Sequence, residues 1–196
     1  NSASLDYSWI LGCKMQKSSS WKLFVLLGVG LIFGTFVGSV IYFAGNLSSN
    51  STVRKDSPEI GKAAPEIKLQ DLDGNEVSTS SFVGHPLVLN FWASWCAPCK
   101  AEMPLLEAYA EKYPDLMLLG INNNESPATI RHFIESNPID FPILLDEDGK
   151  VGDQFLVVGF PTTYFIDQDG TIQAVYMGQL DENLLALYLP KIGITP

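Results

Sequence analysis

The chain has 196 residues, which is enough for one domain with an anchoring or targeting segment and too few for two large domains. Its residues are 46% hydrophobic and 17% charged, a composition that excludes a disordered chain. The formal charge is −10, with a net +3 in residues 1–57 and a net −13 in residues 58–196, and so acidic a body argues against nucleic-acid binding.

The first predicted element is an apolar run from Leu23 to Ala44, 22 residues without a charged side chain. At about 1.5 Å per residue a helix of this length crosses a bilayer core of about 30 Å. Three lysines precede it, at positions 14, 17 and 22, and positive flanks stay in the cytoplasm. We therefore predict a cytoplasmic segment (1–22), a single-pass membrane anchor (23–45) and a body outside the cytoplasm. A cleaved signal peptide is the alternative, although its apolar region would be shorter.

Residues 46–57 are rich in Ser, Asn and Thr and predict a flexible linker, and residues 58–196 predict a folded domain. In that domain, short apolar or alternating runs are separated by segments with helical spacing. The predicted strands cover 67–69, 76–78, 87–92, 116–121, 141–145, 162–166 and 172–177, and the predicted helices cover 98–113, 126–134, 150–156 and 181–189. This order predicts an α/β sandwich whose sheet is part parallel and part antiparallel.

Three cysteines do not form a disulfide framework, which needs an even number at wider spacing, and only two residues separate Cys96 from Cys99. Haem attachment through Cys96 and Cys99 needs a histidine next, and Lys100 stands there. A structural zinc site needs two more ligands at similar spacing, and the two histidines and Cys13 are far apart in the sequence. We therefore predict no metal and no cofactor other than the redox-active cysteine pair itself.

The position of the pair favours dithiol chemistry. Cys96 follows a buried strand and begins a helix, where unpaired amides and the helix dipole stabilise a thiolate. Cys99 lies one turn further on, close enough to form a disulfide and better shielded from solvent. Ala97 and Pro98 form the active-site turn, and Pro98 limits its geometry and tunes the redox potential.

Four segments carry a family resemblance. Phe91–Lys100 (FWASWCAPCK) resembles the active-site segment of the thioredoxin superfamily, and Gly159–Asp167 (GFPTTYFID) resembles its second signature, in which the proline is cis. Gly61–Ile67 and Cys99–Pro104 (C-x-x-E-x-P) resemble the TlpA/ResA-like branch. That branch carries an extra strand and helix, here around Asn124–Lys150. The resemblance implies a thioredoxin fold with an N-terminal β-hairpin and a central strand–helix insertion, preceded by the transmembrane helix.

The resemblance also assigns a client-binding surface. It implies that Pro161 lies opposite Cys96 and that the backbone of Phe160 pairs with a bound peptide as an added strand. Trp95 is expected to form part of the rim around Cys96.

A second implication concerns the acid–base group. Asn90 stands where thioredoxin has a buried aspartate, and an amide side chain does not titrate. Glu102, on the same helical face as Cys99, is therefore expected to act as the local acid or base. Its carboxylate would also raise the cysteine pKa values through like-charge repulsion.

These features predict a membrane-anchored, extracytoplasmic thiol–disulfide oxidoreductase that reduces client disulfides through Cys96 and Cys99. The resemblance implies a disulfide-containing protein as client, for which apocytochrome c is a frequent example in this branch, and a membrane thiol-electron transporter as reductant. One alternative is a thiol peroxidase, but Ala93 stands where that class has Thr or Ser. The other alternative is a non-catalytic client-binding module. The sequence leaves open whether the pair acts as reductant or oxidant.

Overall fold

The computed structural model describes residues 58–137 and 139–195. These residues form a seven-stranded mixed sheet with helices packed around it. Its strands are β1 (Lys68–Asp71), β2 (Glu76–Ser78), β3 (Leu87–Trp92), β4 (Met117–Asn123), β5 (Ile143–Asp146), β6 (Thr162–Ile166) and β7 (Ile172–Met177). The predicted cytoplasmic segment, anchor and linker lie outside the described residues. Within the described ranges, no helix has the length and apolarity needed to cross a membrane.

Four α-helices connect or follow these strands: α1 (Ala97–Lys112), α2 (Pro127–Ser136), α3 (Lys150–Gln154) and α4 (Glu182–Tyr188). Two 3₁₀ helices cover Thr79–Phe82 and Leu189–Ile192. Ser126 caps α2 by accepting a hydrogen bond from the backbone N–H of Thr129, and Asp181 caps α4 in the same way through Leu184. Both caps agree with the predicted helix starts.

The strand order is β2-β1-β5-β4-β3-β6-β7. Strands β3, β4 and β5 run parallel, and the remaining pairs are antiparallel. The predicted N-terminal hairpin is β1–β2, and the predicted insertion supplies α2 and β5. Because β5 pairs with both β1 and β4, it joins the hairpin to the rest of the sheet.

Strand β3 lies within the sheet and all six of its residues are buried. Val88 and Trp92 belong to one apolar cluster, which also holds both cysteines, and Leu89 and Phe91 belong to the other. A strand that is covered on both faces is expected to be a nearly continuous apolar run. Residues 87–92 form such a run, and the sequence predicts a buried strand there. The packing fixes the end of β3, from which the active-site segment continues.

Asp146, at the end of β5, is a buried carboxylate whose role the sequence does not reveal. Its two oxygens accept hydrogen bonds from the backbone N–H groups of Val151 at 3.1 Å and Gly152 at 2.8 Å. These donors lie in the first turn of α3, where helix amides have no partner within the helix. Asp146 thereby holds α3 against the end of the sheet.

Candidate active site

Cys96 and Cys99 form a disulfide at the start of α1, with their α-carbons 5.3 Å apart. Cys96 is the N-cap of the helix, and its sulfur accepts a hydrogen bond from the backbone N–H of Cys99 at 3.2 Å. Cys99 is fully buried and Cys96 is almost so, whereas Ala97 and Pro98 between them are exposed. Both cysteines are thus shielded from solvent, with exposed fractions of 4% for Cys96 and 0% for Cys99.

The second predicted signature lies beside this disulfide because of the pairing in the centre of the sheet. Strand β3 pairs antiparallel with β6, and Phe91 lies opposite Thr162. The peptide bond between Phe160 and Pro161 is cis, as the resemblance implies. The Phe160 ring contacts the ring of Trp95 edge-on, with centroids 5.8 Å apart, and Trp95 is exposed. The structure thus brings the two predicted halves of the site together.

Glu102 lies one turn after Cys99 and is buried. One carboxylate oxygen accepts a hydrogen bond from the amide nitrogen Nδ2 of Asn90 at 2.8 Å, and the other accepts from the backbone N–H of Leu180 at 2.6 Å. Burial raises the pKa of Glu102 from 4.5 to about 7, and the two hydrogen bonds oppose this shift. A carboxyl with this pKa exchanges its proton near neutral pH.

Asn90 connects Glu102 to the neighbouring strand. Its Nδ2 also donates to the hydroxyl of Thr163 at 3.0 Å, while its Oδ1 has no hydrogen-bond partner among the described residues. An amide at this position holds Glu102 without adding a second charge. Sequence reasoning missed Leu180 and Thr163, because they lie 78 residues from Glu102 and 73 residues from Asn90 along the chain.

A further carboxylate, which the sequence does not single out, holds the loop before the disulfide. Glu125, after β4, accepts hydrogen bonds from the backbone N–H of Ser94 at 2.6 Å and from its hydroxyl at 2.5 Å. It also accepts from Nδ2 of Asn122 at 2.8 Å. Ser94 is two residues before Cys96, so Glu125 fixes the backbone that leads into the active-site turn.

Replacing Glu125 with alanine is expected to lower the free energy of unfolding by about 1–3 kcal/mol, because three donors lose a charged acceptor. Urea denaturation of the oxidised protein measures this change. Glu135→Ala is the matched control. Among the described residues Glu135 pairs only with the exposed His132, and its loss should cost less than about 0.5 kcal/mol. Equal destabilisation by both variants would contradict the role assigned to Glu125.

The amino-acid sequence matches a known protein family. The profile of the AhpC/TSA family matches residues 60–175. The chain belongs to the AhpC/TSA family. Among family relatives, it is 31% identical to the thiol-disulfide oxidoreductase ResA of Bacillus subtilis (strain 168) over 176 residues, which cover 87% of this chain and 93% of that protein. It is 33% identical to the thioredoxin-like protein YneN of the same organism over 155 residues, covering 77% of this chain and 89% of that protein.

Solved structures of thiol–disulfide proteins share the fold of this chain. The chain superposes on the thiol:disulfide interchange protein DsbE of Chlorobium tepidum with a TM-score of 0.66 and 27% identity, covering 70% of this chain and all of that one. StoA of Bacillus subtilis gives a TM-score of 0.56 at 25% identity, covering 63% of this chain and 96% of that one. With the Cys96–Cys99 pair at the helix start, these likenesses identify this AhpC/TSA member as a thiol–disulfide oxidoreductase of thioredoxin fold.

Proposed function

We propose that this oxidoreductase reduces disulfides in protein clients outside the cytoplasm, with Cys96 as the attacking thiol and Cys99 as the resolving thiol. The observation that carries this proposal is the different environment of the two sulfurs. Cys96, 4% exposed, is the N-cap of α1 between the exposed Trp95 and Ala97, whereas Cys99 is 0% exposed and lies one turn into the helix. The sulfur at the helix end is therefore the one that a client can approach.

The reaction proceeds in two exchanges. The Cys96 thiolate attacks one sulfur of the client disulfide, forms a mixed disulfide and releases the other client sulfur as a thiolate. The Cys99 thiolate then attacks the Cys96 sulfur, which closes the enzyme disulfide and releases the second client sulfur. The client gains two electrons and the enzyme loses two, so an external dithiol has to reduce the enzyme again.

Glu102 has the properties needed to carry the proton of the second exchange. It lies one turn from Cys99 on α1, is closed off from solvent, and has a pKa of about 7. In its ionised form it accepts the Cys99 proton, and in its protonated form it returns that proton to the departing client thiolate. The hydrogen bonds from Asn90 and Leu180 hold the carboxylate in place for both transfers.

The resemblance and the N-terminal sequence support a proposal for the client and the cellular setting. The TlpA/ResA-like resemblance supports apocytochrome c as the client and a membrane thiol-electron transporter as the reductant. The backbone of Phe160, next to the cis proline, is the proposed edge for an added client strand. The apolar run in residues 23–45, with lysines before it, supports a membrane anchor that keeps residues 58–196 on the extracytoplasmic side.

The reduction potential tests the proposed direction of electron flow. A reductase is expected to have a potential more negative than about −200 mV, whereas a strong oxidant such as DsbA lies near −120 mV. Equilibration of the protein with a dithiothreitol or glutathione series, read by thiol alkylation, gives this value. Cys96→Ala is the control for background thiols. A potential near that of DsbA would overturn the reductase assignment.

A further inference from the structure

Strand β7 is one of the two edge strands of the sheet, and part of its outer side is open. The backbone N–H of Gly178 donates to the carbonyl of Pro161 at 2.9 Å, so Gly178 faces β6. Because backbone groups alternate in direction along an antiparallel strand, Tyr176 and Ala174 also face β6. The backbone groups that point away from the sheet belong to Gln173, Val175 and Met177.

This open stretch has a definite end on each side. On one side the segment before β1 covers Ile172, whose carbonyl accepts from the N–H of Gly61 at 2.8 Å and whose N–H donates to the carbonyl of Lys62 at 2.9 Å. On the other side the chain bends at Gly178, where the φ of 130° suits glycine. Among the described residues, no strand pairs with the outer side of positions 173–177. We name residues 173–177 the open edge.

The sequence of β7 has none of the features that keep an edge strand from pairing. Edge strands of monomeric proteins are commonly very short, or they carry a charge or a proline. Strand β2, at the other edge of the sheet, has three residues and includes Glu76. Strand β7 has six residues, IQAVYM, without a charge or a proline. Of the two edges, β7 is therefore the one suited to pairing with another strand.

We propose that two copies of this chain pair antiparallel through the open edge, with Val175 of both copies on the two-fold axis. In this register Gln173 of one copy lies opposite Met177 of the other. The outward-facing residues then form hydrogen-bonded pairs, with about six backbone hydrogen bonds in all. Because the same strand supplies both sides, the contact is self-complementary and closes after two copies. The cover over Ile172 limits the overlap, since a longer one would displace residues 61–62.

The side chains at the two ends of the open edge favour a second copy as the partner. In the antiparallel pair, the covered end of one open edge lies beside the bend of the other. Ile60, which is 65% exposed, and the exposed Lys62 stand at the covered end. Met177, which is 60% exposed, and the exposed acids Asp181 and Glu182 stand at the bend. Apolar side chains and opposite charges therefore meet at both ends of the pair.

Sedimentation equilibrium of the full-length protein in a density-matched non-ionic detergent tests the proposal. A short strand buries little area, so we expect a concentration-dependent dimer with a Kd of about 10–100 μM. Val175→Lys and Val175→Glu should each raise this Kd at least about 10-fold, because like charges then face each other at the axis. An equimolar mixture of the two variants should dimerise again, since lysine then faces glutamate. Val77→Lys, at a half-buried valine of β2, is the matched control and should keep the wild-type Kd.

Met177→Pro provides a second test that does not depend on how well the charge variants fold. Proline removes an N–H that points away from the sheet and leaves the hydrogen bonds between β6 and β7 in place. We expect a urea midpoint near that of the wild-type protein and a Kd at least about 10-fold higher. A monomeric wild-type protein, or a dimer whose Kd Met177→Pro leaves unchanged, would overturn the proposal. So would a mixture of folded Val175→Lys and Val175→Glu proteins that stays monomeric.

Discussion

Cys99→Ser is expected to stop turnover at the mixed disulfide and to lower the steady-state rate of client reduction by at least about 10³-fold. The variant keeps Cys96 at the N-cap of α1 but has no second thiol to release the client. In the wild-type protein Cys99 is the thiol within reach of the Cys96 sulfur, as their disulfide shows. Non-reducing electrophoresis of membranes from cells that express the variant should reveal adducts that dithiothreitol releases.

Cys96→Ser is the matched control for this experiment. It retains the Cys99 thiol but has no sulfur at the N-cap of α1, so we expect neither adducts nor turnover. The pair of variants assigns the attacking and resolving roles separately. If adducts form through Cys99 in the Cys96→Ser protein and not through Cys96 in the Cys99→Ser protein, the proposed order of attack is wrong.

The second large effect concerns Glu102 and the pH dependence of stability. Its carboxyl has a pKa of about 7 in the folded protein and an ordinary pKa of 4.5. Between these values the folded protein holds a proton that the unfolded chain has released, so stability decreases as pH rises. The loss is about 1.4 kcal/mol per pH unit and about 3 kcal/mol in total, complete once the pH passes about 7.

Glu102→Gln should remove this dependence, because an amide does not titrate. Urea denaturation of the oxidised protein at pH values from about 4 to 8 measures the difference in unfolding free energy between wild type and variant. Glu111→Gln, at an exposed position of the same helix, should retain the wild-type slope. A Glu102→Gln protein whose stability follows pH as the wild-type protein does would refute the shifted pKa.

Local patterns account for the part of the fold that the sequence predicts. The buried strand β3 and the capping residues Ser126 and Asp181 are predicted from a few neighbouring residues each. The structure confirms all three. The helix predicted for residues 150–156 instead ends at Gln154, because the chain turns at Leu156. Leucine gives no turn signal, since it rarely adopts a positive φ.

Long-range contacts account for what the sequence does not predict. The cysteine pair and the carboxyl of Glu102 follow from motif spacing, but the backbone N–H that fixes this carboxyl belongs to Leu180 in a distant loop. The two hydrogen bonds from Ser94 to Glu125 likewise join two loops that have no common sequence pattern. Such contacts arise only when strands that are far apart in sequence pair in the sheet.

The antiparallel pairing of β3 with β6 brings the two segments of the site together only in the folded state. Phe91 of β3 lies opposite Thr162 of β6. This register brings the end of β3, which leads to Cys96, next to the start of β6, which follows Pro161. A shift of one residue would turn the side chains of one strand to the opposite face of the sheet. A nascent chain in which these strands have not yet paired carries both thiols but no assembled client site.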